Sequence, residues 1–168
     1  MKKQLLLIRH AKSEWGSLAL KDFDRPLNAR GFSNAPEMGK RWLQKNIFID
    51  AFVSSPAMRA ITTAKLIAIE IAFDTEKIIK NPSVYHATQQ QLLSVVNKFD
   101  NNFNSIALVG HNPGLSEFAN YLTNSDNYNL PTCAMVLITF DTDNWDEVSG
   151  GTGEVSWVDY PKNTPELG

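Results

Sequence analysis

Three short apolar runs, at residues 5–8, 51–53 and 106–109, contain no polar residue. Strands buried on one face alternate apolar and polar side chains. Unbroken runs of this length instead fit strands covered on both faces, as in a parallel sheet. Between the runs the apolar period changes. Ala60, Ala64, Ile67, Ala68 and Ile71 recur at three- and four-residue steps, which predicts a helix with one apolar face. Leu92, Leu93, Val96 and Phe99 repeat the pattern, as do Leu115, Phe118, Ala119 and Leu122.

Helix starts are marked by polar residues. Thr88 followed three residues later by Gln91 has the capping-box pattern, in which each side chain satisfies a free amide of the first turn. Ser55 before Pro56 places a capping residue ahead of a proline suited to the first helical position. Asn34, Pro36 and Glu37 give a similar start before Met38, Trp42 and Leu43. Toward the C-terminus, residues 135–140 and 155–158 read as two strands flanking Gly150, Gly151 and Gly153, which predicts an antiparallel edge. That glycine cluster is not a nucleotide loop, because no lysine follows in the required place and a strand comes next. The alternation of strands and helices predicts an α/β fold: a three-layer α/β/α sandwich around a mainly parallel sheet. The 168 residues suit one domain, spanning 1–168, and no repeat or linker divides them.

Composition narrows function more than fold. Hydrophobic residues make up 43% and charged residues 20%, ordinary globular values that argue against disorder. A balance of 16 basic and 18 acidic residues gives a net charge of −2, with no positive field to hold nucleic acid or a membrane surface. A single cysteine, Cys133, excludes an internal disulfide and fits a reducing compartment. Beside Thr132, Ala134 and Met135 it reads as a buried strand residue rather than a reactive thiol. Lys2 and Lys3 before four apolar residues superficially suggest a secretory leader, but the run stops at Arg9, far short of one. The expectation is a soluble, cytoplasmic protein.

Candidate chemistry sits just past the ends of the three apolar runs. There the chain carries Arg9-His10, then Ser54-Ser55-Pro56 leading to Arg59, then Gly110-His111-Asn112-Pro113-Gly114. In an open α/β sheet, ligands bind at that edge. Two arginines predict an oxyanion, since the guanidinium fork matches phosphate oxygens. A neutral imidazole is a competent nucleophile toward phosphorus, and a second can donate to an oxygen of the transferring group. Taken singly, each residue has an ordinary structural reading; their equivalent positions at strand ends give the set its weight.

These segments resemble the motifs of a known family. Leu6-Leu7-Ile8-Arg9-His10-Ala11-Lys12-Ser13 is similar to the signature strand and loop of the histidine phosphatase superfamily, also called phosphoglycerate-mutase-like. Ser54-Ser55-Pro56-Ala57-Met58-Arg59-Ala60 with Thr63-Ala64 resembles its second motif, and Val109-Gly110-His111-Asn112 its third. Asp24-Arg25-Pro26-Leu27-Asn28 with Arg30-Gly31, and Leu130-Pro131-Thr132, resemble its short SixA-type branch of phosphohistidine phosphatases. The resemblance implies a hydrolase in which His10 takes the phosphoryl group while Arg9, Arg59 and His111 bind its oxygens, with no metal or organic cofactor. Its partner would be a phosphorylated substrate, either a phosphohistidine protein or a small phosphoester.

Where many relatives place asparagine, this chain has Gly16, and where many place a proton-donating glutamate, it has His86 within Val84-Tyr85-His86-Ala87. His86 is either the general acid or a surface residue; Asp22, Asp24 and Glu14 are further candidates for that job. Absence of the glutamate favours phosphohistidine, whose leaving group departs easily. Lys12, Ser13 and Arg25 are candidates for the substrate pocket, and Trp15 stands close enough in sequence to border it. Two other classes are a phosphate-binding module without turnover and a zinc hydrolase using His10, His86 and His111. Those histidines lack metal-ligand spacing.

Overall fold

The computed structural model describes residues 2–15 and 19–163, so Gly16 lies outside the described residues. Ten principal elements follow one another: β1 (Lys3–Arg9), α1 (Ala29–Leu43), β2 (Ala51–Ser54), α2 (Met58–Glu70), β3 (Ile79–Lys80), α3 (Gln89–Asn97), β4 (Ser105–Gly110), α4 (Gly114–Thr123), β5 (Met135–Phe140) and β6 (Gly153–Asp159). The strands form one sheet in the order β3-β2-β4-β1-β5-β6. From β3 to β1 all pairings are parallel, while β1–β5 and β5–β6 are antiparallel. Both parts match the expectation: a parallel body and an antiparallel edge.

The unbroken apolar runs lie where they are covered twice. Leu5 and Leu7 face a core shared with Leu92, Val96, Leu115 and Phe118, from α3 and α4. Leu6 and Ile8 face a second core shared with Met38, Trp42, Ala64 and Ile67, from α1 and α2. Two helices on each side make three layers. Burying each Leu or Ile this way contributes about 1.5–3 kcal/mol, which is why the middles of the central strands are apolar on both faces. Among the described residues, no helix is long and apolar enough to cross a membrane.

Two helix starts differ from the sequence expectation. α1 begins at Ala29, capped by Asn28, whose side chain accepts the Gly31 N–H at 2.9 Å. Pro36 therefore lies inside α1, which stays anchored through buried Ala35, Met38 and Trp42. α2 begins at Met58 rather than beside Pro56. The expected capping box of α3 is present, with Thr88 and Gln91 bonded reciprocally.

Lys3, which resembled part of a leader in the sequence, is 1% exposed. Its ammonium donates to Asn101 O at 2.7 Å, Phe103 O at 2.9 Å and Asn104 Oδ1 at 2.9 Å. It also lies 5.6 Å from the Trp145 ring centroid. It staples the start of β1 to the loop before β4.

Candidate active site

Because β2, β4 and β1 are adjacent, the three candidate segments meet at one sheet edge. Backbone bonds knit the loops there. The His10 N–H donates to Gly110 O at 3.1 Å, Ser55 N–H to Val109 O at 3.0 Å, and Cys133 N–H to His10 O at 3.0 Å. Thr63 joins the first two motifs: its hydroxyl accepts the Ala11 N–H at 2.9 Å and donates to Arg59 O at 2.7 Å. A cleft of about 430 Å³ opens at this edge. Arg9, His10, Lys12, Ser13, Arg25, Arg59, His86 and His111 all line it, and so do Trp15, Asp22, Asn112 and Thr132.

The two central imidazoles are held neutral. His10 Nδ1 lies 2.7 Å from the Ala11 carbonyl, which can only accept, so Nδ1 carries the proton and Nε2 keeps a lone pair. Burial, reinforced by the charges of Arg59, Arg9 and Arg25, pushes the His10 pKa down to about 4. His111 Nε2 lies 2.8 Å from the Ser55 hydroxyl, and the His10 and His111 ring centroids are 5.2 Å apart. Burial first, then His10 and Arg59, lowers the His111 pKa to about 3.

The arginines are anchored at their tips. Arg9 donates through Nη1 to Leu130 O at 2.8 Å, an acceptor it shares with Asn112 Nδ2 at 2.9 Å. Arg59 donates through Nη1 to Asp22 O at 2.8 Å and through Nη2 to Asp22 Oδ2 at 3.0 Å. Among the described residues, three buried side-chain nitrogens lack a partner: Arg9 Nε, Arg59 Nε and His111 Nδ1. All three belong to residues that line this cleft. Buried polar atoms rarely stay unpaired, and arginine nitrogens can only donate, so the arrangement suits an incoming oxyanion.

Asp22 is the residue whose importance the sequence understated. Its Oδ2 accepts from the Tyr85 hydroxyl at 2.6 Å and lies 3.0 Å from His86 Nε2, while Oδ1 is 3.1 Å from Arg25 Nη2. Arg25 also donates to Ser13 and lies 3.9 Å from the Trp15 ring centroid. Burial opposes ionisation of Asp22, but the bonds from Tyr85, Arg25 and Arg59 outweigh it and hold the carboxyl well below its usual range. An acid that stays ionised is a poor proton donor. His86 stands at the cleft mouth with 56% of its side chain exposed, its ring stacked on Tyr85 at 4.1 Å. Glu14 and Asp24 do not line the cleft. No spacing in the sequence signals Asp22; its short helical turn, Asp22–Asp24, reaches Arg59 only through the fold. Among the described residues, no three His, Cys, Asp or Glu side chains are grouped to share a metal ion.

The family model described as histidine phosphatase superfamily (branch 1) matches residues 5–84. An uncharacterised chloroplastic protein of Arabidopsis thaliana is 28% identical over 163 residues, covering 92% of this chain and 74% of that one. Among solved structures, one provisionally named phosphohistidine phosphatase SixA, from Agrobacterium tumefaciens, superposes with a TM-score of 0.81 at 23% identity. It covers 95% of this chain and 98% of its own. The protein histidine phosphatase SixA complexed with tungstate superposes with a TM-score of 0.76 at 18% identity, covering 94% and 97%. Those likenesses concern the fold, while the matched sequence pattern carries both the Arg9-His10 pair and Arg59. Pattern and fold lead to one placement: this protein belongs to the histidine phosphatase superfamily.

Proposed function

We propose that this protein hydrolyses a phosphoryl group through a covalent intermediate on His10, with protein phosphohistidine as its substrate. The observation that carries the reading is the trio of unpaired buried nitrogens, Arg9 Nε, Arg59 Nε and His111 Nδ1, in one cleft with a neutral His10. His10 Nε2 attacks phosphorus as the bond to the leaving group breaks, giving phosphohistidine. Water then attacks that phosphorus, releasing inorganic phosphate and restoring His10. Ser55 Oγ accepts the Ala57 N–H at 3.2 Å, so its own proton is free for His111 Nε2. That keeps the ring proton on His111 Nδ1, ready for a phosphoryl oxygen. No metal takes part in this scheme.

The leaving side of the cleft supports a nitrogen leaving group. Asp22 remains an anion there, so it supplies no proton to a poorly departing alkoxide. Phosphohistidine needs little help from an acid, and His86, oriented by Asp22 at 3.0 Å, serves as the donor where one is needed. The SixA structures add weight as relatives in fold, one of them named a protein histidine phosphatase and holding tungstate, a tetrahedral oxyanion. The test is phosphate release in excess EDTA, comparing a phosphohistidine protein with para-nitrophenyl phosphate, for wild type and His10→Ala. The expected result is turnover by wild type only, with the phosphohistidine protein preferred. Preference for the ester would move the assignment to a small-phosphoester phosphatase. Equal activity in both proteins would remove His10 from the mechanism, and phosphate binding without turnover would leave a binding module.

A further inference from the structure

A second, smaller cavity of about 170 Å³ adjoins the candidate active site, and Lys12 and Thr132 line both. Its other charged groups are Arg30 and Lys162, and no carboxylate lines it among the described residues. None of these three cations is ion-paired to a described residue, although Arg25, Arg41 and Arg59 all are. Lys12 is half-buried while Arg30 and Lys162 are exposed, so three like charges border one small cavity at the surface, where an anion would complement them.

The cations come from three separate segments on a fixed frame. The Lys12 carbonyl accepts the Asn28 N–H at 3.0 Å, which locks the loop after β1 to the first turn of α1 and so to Arg30. Lys162 is carried by residues 160–163, which Arg41 fastens down. Arg41 donates to Tyr160 O at 2.9 Å, Pro161 O at 3.1 Å and Asn163 O at 3.3 Å, and pairs with Asp159 at 3.3 Å. Pro131, Tyr160 and Pro161 supply apolar walls between the charges.

We propose that Lys12, Arg30 and Lys162 form a second anion subsite, which receives a carboxylate or phosphate carried by the substrate whose phosphoryl group enters the main cleft. The proposal rests on the phosphatase reading above and narrows its substrate class to molecules with two anionic groups joined by a short, partly apolar linker. A phosphorylated side chain beside an acidic residue and a small bisphosphate share that chemistry.

The experiment measures inhibition of para-nitrophenyl phosphate hydrolysis by alkanediol bisphosphates of increasing length, each against its alkyl monophosphate, at constant ionic strength. At one favoured length the bisphosphate is expected to bind about tenfold more tightly than its monophosphate, because the second contact is made within one complex. Arg30→Gln and Lys162→Gln each shrink that ratio, and the double variant brings it to about one. The subsite is overturned if no length gains over its monophosphate, or if the gain survives in the double variant, while hydrolysis still depends on His10. Absence of any His10-dependent hydrolysis overturns the phosphatase reading and the subsite together. Peptides with phosphohistidine next to Asp or Asn, run alongside the bisphosphates, tell a protein source of the second anion from a small-molecule one.

Discussion

His10 and His111 couple the candidate chemistry to the stability of the fold. Unfolded, both imidazoles take up a proton near their ordinary pKa of 6.5; folded, His10 waits until about pH 4 and His111 until about pH 3. Through that window the unfolded chain binds more protons, so stability is full above about pH 6.5 and declines as the pH falls. A His10→Asn chain lacks one of these liabilities. Between pH 7 and pH 4 it is expected to lose about 2–3 kcal/mol less stability than wild type, as read from urea melts. That Arg9, His10, Arg59 and His111 meet in one cleft was legible in the sequence because each comes after a run that fits a covered strand. Asp22 was named there only as a further candidate proton donor, and its contacts, like those of Tyr85 and the Leu130 carbonyl, were not legible. Their partners lie 37, 63 and 121 residues away, and no local pattern reports contacts of that separation.

Element boundaries show the same division. The capping box at Thr88 is a local device and was readable; the start of α1 was not, because Pro36 suggested an N-terminus that Asn28 already provides. What fixes α1 is a close approach. A Cβ on Gly31 would sit 2.2 Å from the Lys12 carbonyl oxygen, so only glycine lets the helix reach the loop after β1. Gly31→Ala is expected to cost about 1–3 kcal/mol, seen as a lowered midpoint in thermal unfolding. The helix must shift away from Lys12, so phosphatase activity should fall as well. Gly114 plays the matching part for α4, where a Cβ would lie 2.0 Å from the Ala87 carbonyl oxygen beside His86. Two helices thus press on the two loops that flank the cleft.

At the scale of the molecule, the fold class followed from the rhythm of apolar runs, since strands covered on both faces require helices on both sides. The buried ammonium of Lys3 did not follow, because its acceptors lie in the loop before β4, about a hundred residues away. Lys3→Met leaves the Asn101 and Asn104 acceptors without their donor and is expected to destabilise the chain by about 2–4 kcal/mol in urea unfolding. β1, at the middle of the sheet, has further consequences. Its neighbours are Ser105–Gly110 on one side and Met135–Phe140 on the other, so every pairing it makes spans roughly a hundred residues or more. During synthesis this strand is made well before either of its partners. Until β4 and β5 are made, an apolar segment of four residues, followed directly by Arg9 and His10, is without its partners. The nascent chain therefore depends on its surroundings to keep that strand from sticking elsewhere, and the candidate nucleophile finds its pocket only after a further hundred and more residues have been added.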